Sequence, residues 1–395
     1  MTSQPQRQPH GRWIQGQRGY RAYVPAPLPP PIGWNGSLAA ALSAADLAVG
    51  RLAGEGRRLP NPHLLIRPFV RREAVLSSRI EGTQATLGEL LAAEAGAAVE
   101  RSPADLREVG NYVVALEFGV QRLRRLPLSL RLVRELHEKL MRGVRGDTAT
   151  PGEFRRSQNW IGPPGSTLAS ASFVPPPPDL LMECLGAWET FLHDAALPPL
   201  VHAALAHSQF EAIHPFLDGN GRVGRLLITL LLVSKGVLPS PLLYISAWFE
   251  STRPEYYARL AAVTERGEWE EWLGYFFAGV ASQADDAVGR IQRIDALISD
   301  WRERVAKGSS RLPERAIDLF AENPFWTVNR LAERLDVAFT SAQRAVNRLE
   351  EAGVVALATE AKRNRVYCAR ALLEILEEPP QPAKGSAAPG RGRTP

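Results

Sequence analysis

From residue 37 to residue 301, apolar residues recur every three or four positions, with one proline-rich interruption. That period lays an apolar stripe along one face of an α-helix and does not suit a half-buried strand, whose sides alternate every second residue. Amphipathic helices are predicted at 37–52, 68–80, 105–126, 129–141, 179–193, 200–213, 222–235, 254–265 and 269–301. The chain shows no self-similarity at 20- to 50-residue period, which excludes a solenoid. The expected fold class is therefore mainly α, and 45% hydrophobic residues over 395 positions supply a sizeable core.

The interruption reads PGEFRRSQNWIGPPGSTLASASFVPPPP over 151–178. Short strand-like runs at 158–161 and 171–174 flank Gly162-Pro163-Pro164-Gly165, the pattern of a β-hairpin or an extended flap; a plain surface loop is the alternative. Helical period breaks again within 301–312, taken as a linker. Residues 313–370 then read as their own unit, with helices at 313–321, 328–335 and 340–351 and strands at 354–357 and 365–368. Thr340 and Gln343 suggest a capping box at the start of its third helix. Helix, short turn, helix and two strands around a basic tip is the layout of a winged helix-turn-helix. Residues 1–20 and 379–395 are polar and rich in Pro, Gly, Gln and Arg, so both are expected to be disordered tails.

Composition excludes several classes. A net charge of +5 from 47 basic and 42 acidic residues is too mild for a polyanion-coated protein. Cys184 and Cys368 stand far apart without a CxxC spacing, so neither a zinc cluster nor a disulfide framework is expected, and a reducing, cytoplasmic setting is. Residues 1–20 lack the apolar stretch of a signal peptide. The longest apolar run, 226–233, is far shorter than the roughly 20 residues that span a bilayer, so no membrane partner is expected.

The chemistry lies in His214-Pro215-Phe216-Leu217-Asp218-Gly219-Asn220-Gly221-Arg222-Val223-Gly224-Arg225. One predicted helix ends before Pro215 and another opens near Arg222. Gly219 and Gly221 permit backbone that other residues resist, and bring N–H groups close to a ligand. Those groups and the helix dipole suit phosphates. Arg222 and Arg225 share the first turn and can fork onto phosphate oxygens. Asp218 offers the hard oxygen that Mg²⁺ takes together with substrate phosphates. His214 titrates near working pH and can accept the proton of an attacking hydroxyl. Eight constrained positions match H-x-F-x-[DE]-G-N-G-R-x-x-R, a coincidence on the order of 10⁻¹⁰ per starting point.

That string resembles the signature of the Fic family of nucleotidyltransferases, and the resemblance covers roughly residues 23–300. It implies a helical Fic N-terminal region over 21–110, a catalytic core over 111–300 with a flap at 152–174, and transfer of AMP from ATP to a Ser, Thr or Tyr hydroxyl of a protein, including the chain itself. By the same resemblance His214 would be the general base, Phe216 would hold the loop, and Asp218 would bind Mg²⁺. Gly219, Asn220 and Gly221 would cradle the α- and β-phosphates, with Val223 and Gly224 filling the variable positions. Arg222 would steady the β-phosphate and Arg225 the γ-phosphate. Ser77-Ser78-Arg79-Ile80-Glu81-Gly82 is similar to the family's inhibitory motif [ST]-x-x-x-E-[GN]. Glu81 would then pair with Arg225, with Ser77 holding the carboxylate. Ile161 to Pro164, Gly162 among them, would border the nucleotide, and Tyr256 with Tyr257 would line an adenine pocket or else be ordinary core aromatics.

Other functions stay open. The C-terminal unit carries Arg344, Arg348, Lys362, Arg363 and Arg365, residue types that contact DNA phosphates, and such units also dock proteins. A DNA-binding regulator with a sensory Fic core is one alternative. An enzyme that moves another phosphate-containing group, or removes AMP, is another. A second copy of the chain is a further candidate partner.

Overall fold

The structure, a computed structural model, describes residues 10–16, 19–58, 62–144, 150–163, 165–306, 310–358 and 365–379. The chain opens with strands β1 (Gly11–Gln15) and β2 (Arg21–Pro25), paired antiparallel with Gly11 opposite Pro25. Residues 11–15 are thus not a disordered tail. The Tyr23 side chain packs with Trp13 and Phe173 in an aromatic cluster, and the Tyr23 amide donates to the Val174 carbonyl at 2.9 Å. The hairpin earns its order by bracing the flap.

Helices follow: α1 (Gly36–Arg58), α2 (Pro62–Ile80), α3 (Leu87–Glu94), α4 (Pro103–Arg122), α5 (Leu130–Leu140), α6 (Pro178–Leu192), α7 (Pro199–Ile213), α8 (Asn220–Ser234), α9 (Ser246–Ser251), α10 (Arg253–Arg266) and α11 (Trp269–Val305). Every helix expected from apolar spacing is present. The expectation missed α3 and α9, both too short to show a period, although Thr86 and Glu89 form a reciprocal capping box at the start of α3. The flap is also smaller than expected. Among the described residues only one antiparallel bridge, Ile161 to Phe173, joins its two arms, through N–H···O bonds of 2.8 and 3.0 Å.

Helices α7 and α8 form the centre. Both are buried around nearly their whole circumference, and α7 does not carry the one-sided apolar stripe expected at 200–213. The indoles of Trp188 and Trp272 donate to the carbonyls of Ala206 and Ala204 on α7, fixing it from two directions. By length and composition α1 could cross a bilayer. Here Leu38, Ala45, Ala48, Val49 and Leu52 are buried, and the helix lies along α11.

The 301–312 linker is shorter than expected, because α11 continues to Val305 and α12 (Leu312–Glu322) starts at its end; residues 307–309 lie outside the described residues. Next come β3 (Phe325–Thr327), α13 (Val328–Leu335), α14 (Phe339–Glu351), β4 (Ala356–Leu357), β5 (Val366–Cys368) and α15 (Arg370–Glu377). The sheet order is β3-β5-β4, all antiparallel. Strand β3 and helix α15 were not anticipated. The Thr340–Gln343 capping box is absent: Ala338 is the N-cap, with no side-chain bond, and Gln343 donates to Asn347. The division at 110/111 falls inside α4, and the buried core is one continuous cluster from Val24 to Leu376. Residues 1–9 and 380–395 lie outside the described residues. Both cysteines are free and buried.

Helix α4 meets α5 and α8 where Gly119 leaves no room. A Cβ there would lie 2.7 Å from Leu230 Cδ1 and 3.0 Å from Leu136 Cδ2. Gly119→Val should overpack this crossing at a cost of about 1–3 kcal/mol, read as a lower melting temperature.

Candidate active site

The loop between α7 and α8 is built by side chains that satisfy its backbone. His214 ends α7 in the left-handed region, with φ 48° and ψ 62°, and Gly219 opens α8 with φ 79°. Asn220, almost fully buried, accepts the Phe216 N–H through Oδ1 at 2.8 Å and donates to the Phe216 carbonyl at 2.8 Å. Its side chain is a staple across the loop, so a phosphate-cradling role would fall to its backbone N–H in the first turn of α8. Phe216 is buried and stacks on His137 with ring centroids 3.7 Å apart, so it does hold the loop.

His137, absent from the sequence reading, is decisive here. The Gly152 amide donates to its Nδ1 at 2.9 Å, so Nε2 carries the proton and donates to the Asp218 carbonyl at 3.0 Å. Burial pushes His137 down to about 4, which preserves that tautomer near neutral pH. Arg155 was also missed. It donates to the carbonyls of His214 at 2.9 Å and Pro176 at 2.5 Å, and Asn159 donates to those of His214 and Phe216. Burial lowers Arg155 to about 10. Lone polar residues in a proline-rich segment carry no periodic signal that would have pointed to these roles.

His214 is half-buried, and burial pushes it down to about 4, well below the near-neutral titration expected. Its Nδ1 lies 3.3 Å from the Glu211 carbonyl, which can only accept, so Nδ1 carries the proton and Nε2 the lone pair. This is a neutral imidazole with a free basic nitrogen, at the mouth of a helix N-terminus.

The two arginines are both buried. Arg222 donates through Nη1 to Glu108 at 2.5 Å and sits 3.6 Å from Asp218, while its Nε has no partner among the described residues. Arg225 donates through Nη2 to Glu81 at 2.6 Å, through Nε to Ser77 Oγ at 2.9 Å, and to the Ser77 carbonyl at 2.9 Å. Ser77 therefore holds the arginine, not the carboxylate as the resemblance implied. Burial acts to raise the Glu81 carboxyl, but Arg225 outweighs it and holds Glu81 below the usual range. The pair rests on Gly221, where a Cβ would lie 2.3 Å from Glu81 Oε1. Gly82, with φ 101°, turns the chain directly after Glu81.

Val223 belongs to the core and Gly224 is buried. Tyr256 is buried and bonds His207 at 2.9 Å, while Tyr257 lines a cleft of about 410 Å³. Ile161, Gly162 and Phe173 of the flap form its opposite side, and Ser208, Glu211 and Ala212 of α7 its floor. Pro164 lies outside the described residues. Asp218 is half-exposed, and its Oδ1 accepts the Gly219 N–H at 2.6 Å. No cluster of three or more acidic, His or Cys residues occurs among the described residues. One exposed carboxylate fits a Mg²⁺ that takes its other oxygens from phosphates and water. In the C-terminal unit Arg344 and Arg365 are exposed and Arg348 is 3.6 Å from Glu351; Lys362 and Arg363 lie outside the described residues.

Comparison with known proteins agrees with this geometry. The Fic/DOC family N-terminal model matches residues 39–121, and the Fic/DOC family model matches residues 127–232. The chain is 34% identical over 166 residues, or 40% of its length, to the protein adenylyltransferase Fic of Drosophila virilis, and 37% identical over 120 residues, or 30%, to that of Drosophila yakuba. These matches span 32% and 22% of the relatives' own length. The fold is similar to a Fic family protein of Desulfovibrio desulfuricans, with TM-score 0.58 and 21% identity over 87% of this chain and 98% of that one. It is also similar to Fic-1 of C. elegans, with TM-score 0.51 and 24% identity over 66% and 74%.

Asn220→Ala would strand the Phe216 N–H in a buried loop and leave its carbonyl to Asn159 alone. A loss of about 1–3 kcal/mol is expected in thermal or denaturant melting.

Proposed function

Because this chain belongs to the Fic/DOC family, we propose that it is a protein adenylyltransferase held inactive by Glu81. The observation that carries this reading is Arg225 bonded to Glu81 beside a helix N-terminus that a neutral His214 flanks. ATP would lay its phosphates at the start of α8, where Gly219 and Gly221 leave the backbone open to approach. Its ribose and base would enter the cleft beside Tyr257 and the flap. The hydroxyl oxygen of a target Ser, Thr or Tyr attacks the α-phosphorus, the bond to the bridging oxygen breaks, and pyrophosphate leaves. His214 Nε2 takes the hydroxyl proton. Mg²⁺ held by Asp218 and phosphate oxygens would neutralise charge on the triphosphate. The protein's share is positioning and preorganised charge.

Inhibition follows from the same bonds. While Glu81 and Ser77 occupy Arg225, the guanidinium does not reach a γ-phosphate, and the carboxylate repels one. A displacement of about 1 Å from in-line geometry can cost 10²-fold in rate.

The C-terminal helices and β3-β5-β4 sheet support reading residues 312–377 as a winged helix. Exposed Arg344 and Arg365 favour a duplex DNA or an acidic protein surface as its partner.

ATP labelled at the α-phosphate should leave label on protein, the chain itself included, and ATP labelled at the γ-phosphate should leave none. The reverse result would mean kinase chemistry. Glu81→Gly should raise transfer strongly, and adding Arg225→Ala should abolish the gain; an unchanged rate in folded, ATP-bound Glu81→Gly would make Glu81 an ordinary surface acid. His214→Ala should lower transfer about 10²–10⁴-fold with ATP binding retained. With the imidazole held near 4, kcat/KM of Glu81→Gly should fall only as pH approaches about 4, not at the ordinary histidine value of about 6.5.

A further inference from the structure

Glu211 sits on the last turn of α7, three residues before His214, with no role in the mechanism above. Its Oε1 is buried and has no hydrogen-bond partner among the described residues. The same oxygen lies over the first turn of α8, where a Cβ on Gly224 would come within 2.4 Å of it. One turn earlier, Ser208 is almost fully buried and its Oγ is likewise unpartnered. Both residues line the 410 Å³ cleft between the flap and α10. Buried polar atoms without partners are uncommon, and two on one helix face bordering a cleft point to a ligand that supplies the missing bonds.

Position then decides which part of the ligand each meets. A nucleotide runs phosphate, ribose, base. Glu211 stands beside α8, where the phosphates go, and Ser208 lies one turn farther back along α7 from the His214 loop. We infer that Glu211 accepts hydrogen bonds from the ribose hydroxyls of the bound nucleotide, and so makes the enzyme select ribonucleotides over their deoxy counterparts. Hydroxyls are donors of the kind an unpartnered carboxyl oxygen lacks. A carboxylate beside a triphosphate would ordinarily repel it. Burial pushes Glu211 up to about 7, with Arg225 opposing and Glu81 adding to the rise, so much of that repulsion is absent near neutral pH. The inference rests on the adenylyltransferase reading for the presence of a nucleotide, and on the geometry of α7 for the role of this residue.

The test is equilibrium binding of ATP, 2′-deoxy-ATP and 3′-deoxy-ATP to the full chain carrying Glu81→Gly, with and without Glu211→Ala. The parent should bind ATP about tenfold tighter than at least one deoxy analogue, the size of one ordinary hydrogen bond. Glu211→Ala should bring that ratio close to one, with the affinity for the analogue little changed. Since Oε1 makes no hydrogen bond among the described residues, its loss should not lower the melting temperature. Should the Ala variant fail to fold, Glu211→Gln, of nearly equal shape, is expected to narrow the same ratio. A ratio unchanged by substitution, or a parent that binds all three nucleotides alike, overturns the ribose role and leaves the adenylyltransferase reading standing. A parent that binds no ATP overturns both.

Discussion

A guanidinium cannot be left in a protein interior without partners, and Arg225 is only 1% exposed. Its three bonds all run to one short stretch, to the Ser77 hydroxyl, the Ser77 carbonyl and the Glu81 carboxylate. The end of α2 is therefore fixed against α8 by the need to satisfy one charge. Removing a single partner would leave that charge uncompensated, the costly way to break a buried pair. The absence of a side chain at Gly221 lets the Glu81 carboxylate approach α8 and reach Arg225.

The loop before α8 obeys a second constraint. It must hold a left-handed His214 and an open Gly219, and irregular backbone exposes carbonyls that a helix would have paired. Asn159, Arg155, His137 and Asn220 take up the carbonyls of Phe216, His214 and Asp218 from three other parts of the chain. The loop is thus rigid before any ligand arrives, and rigidity of that kind lets fixed dipoles act without reorganising.

The C-terminal unit is bonded to the same layer. Arg67 of α2 pairs with Glu322 at 2.7 Å, Asn323 donates to the Leu91 carbonyl of α3, and Glu377 accepts the Gly88 N–H at the N-terminus of α3. On the other side, Arg293 pairs with Glu378 at 2.6 Å, and Arg290 donates to the Ile375 and Glu378 carbonyls. Helix α2 therefore lies between the arginine it satisfies and the C-terminal helices packed behind it.

The sequence by itself determined the long helices, the turn at Pro215 and the catalytic string, because a 3.6-residue period and a run of contiguous motif residues are local properties of the chain. It also brought Glu81 and Arg225 together, through the resemblance of two separate motifs. Tertiary structure alone decided which oxygen of Ser77 and Glu81 each arginine nitrogen reaches, that Asn220 staples the loop, and that Arg222 is held by Glu108. Those outcomes depend on burial, which removes water as a competing partner and forces each polar group to find a protein one. The same reason explains what was missed. His137, Arg155 and Glu211 are single residues whose roles arise only when distant segments close over them, and the β1-β2 hairpin is ordered by the aromatic cluster with Phe173 that no local pattern announces.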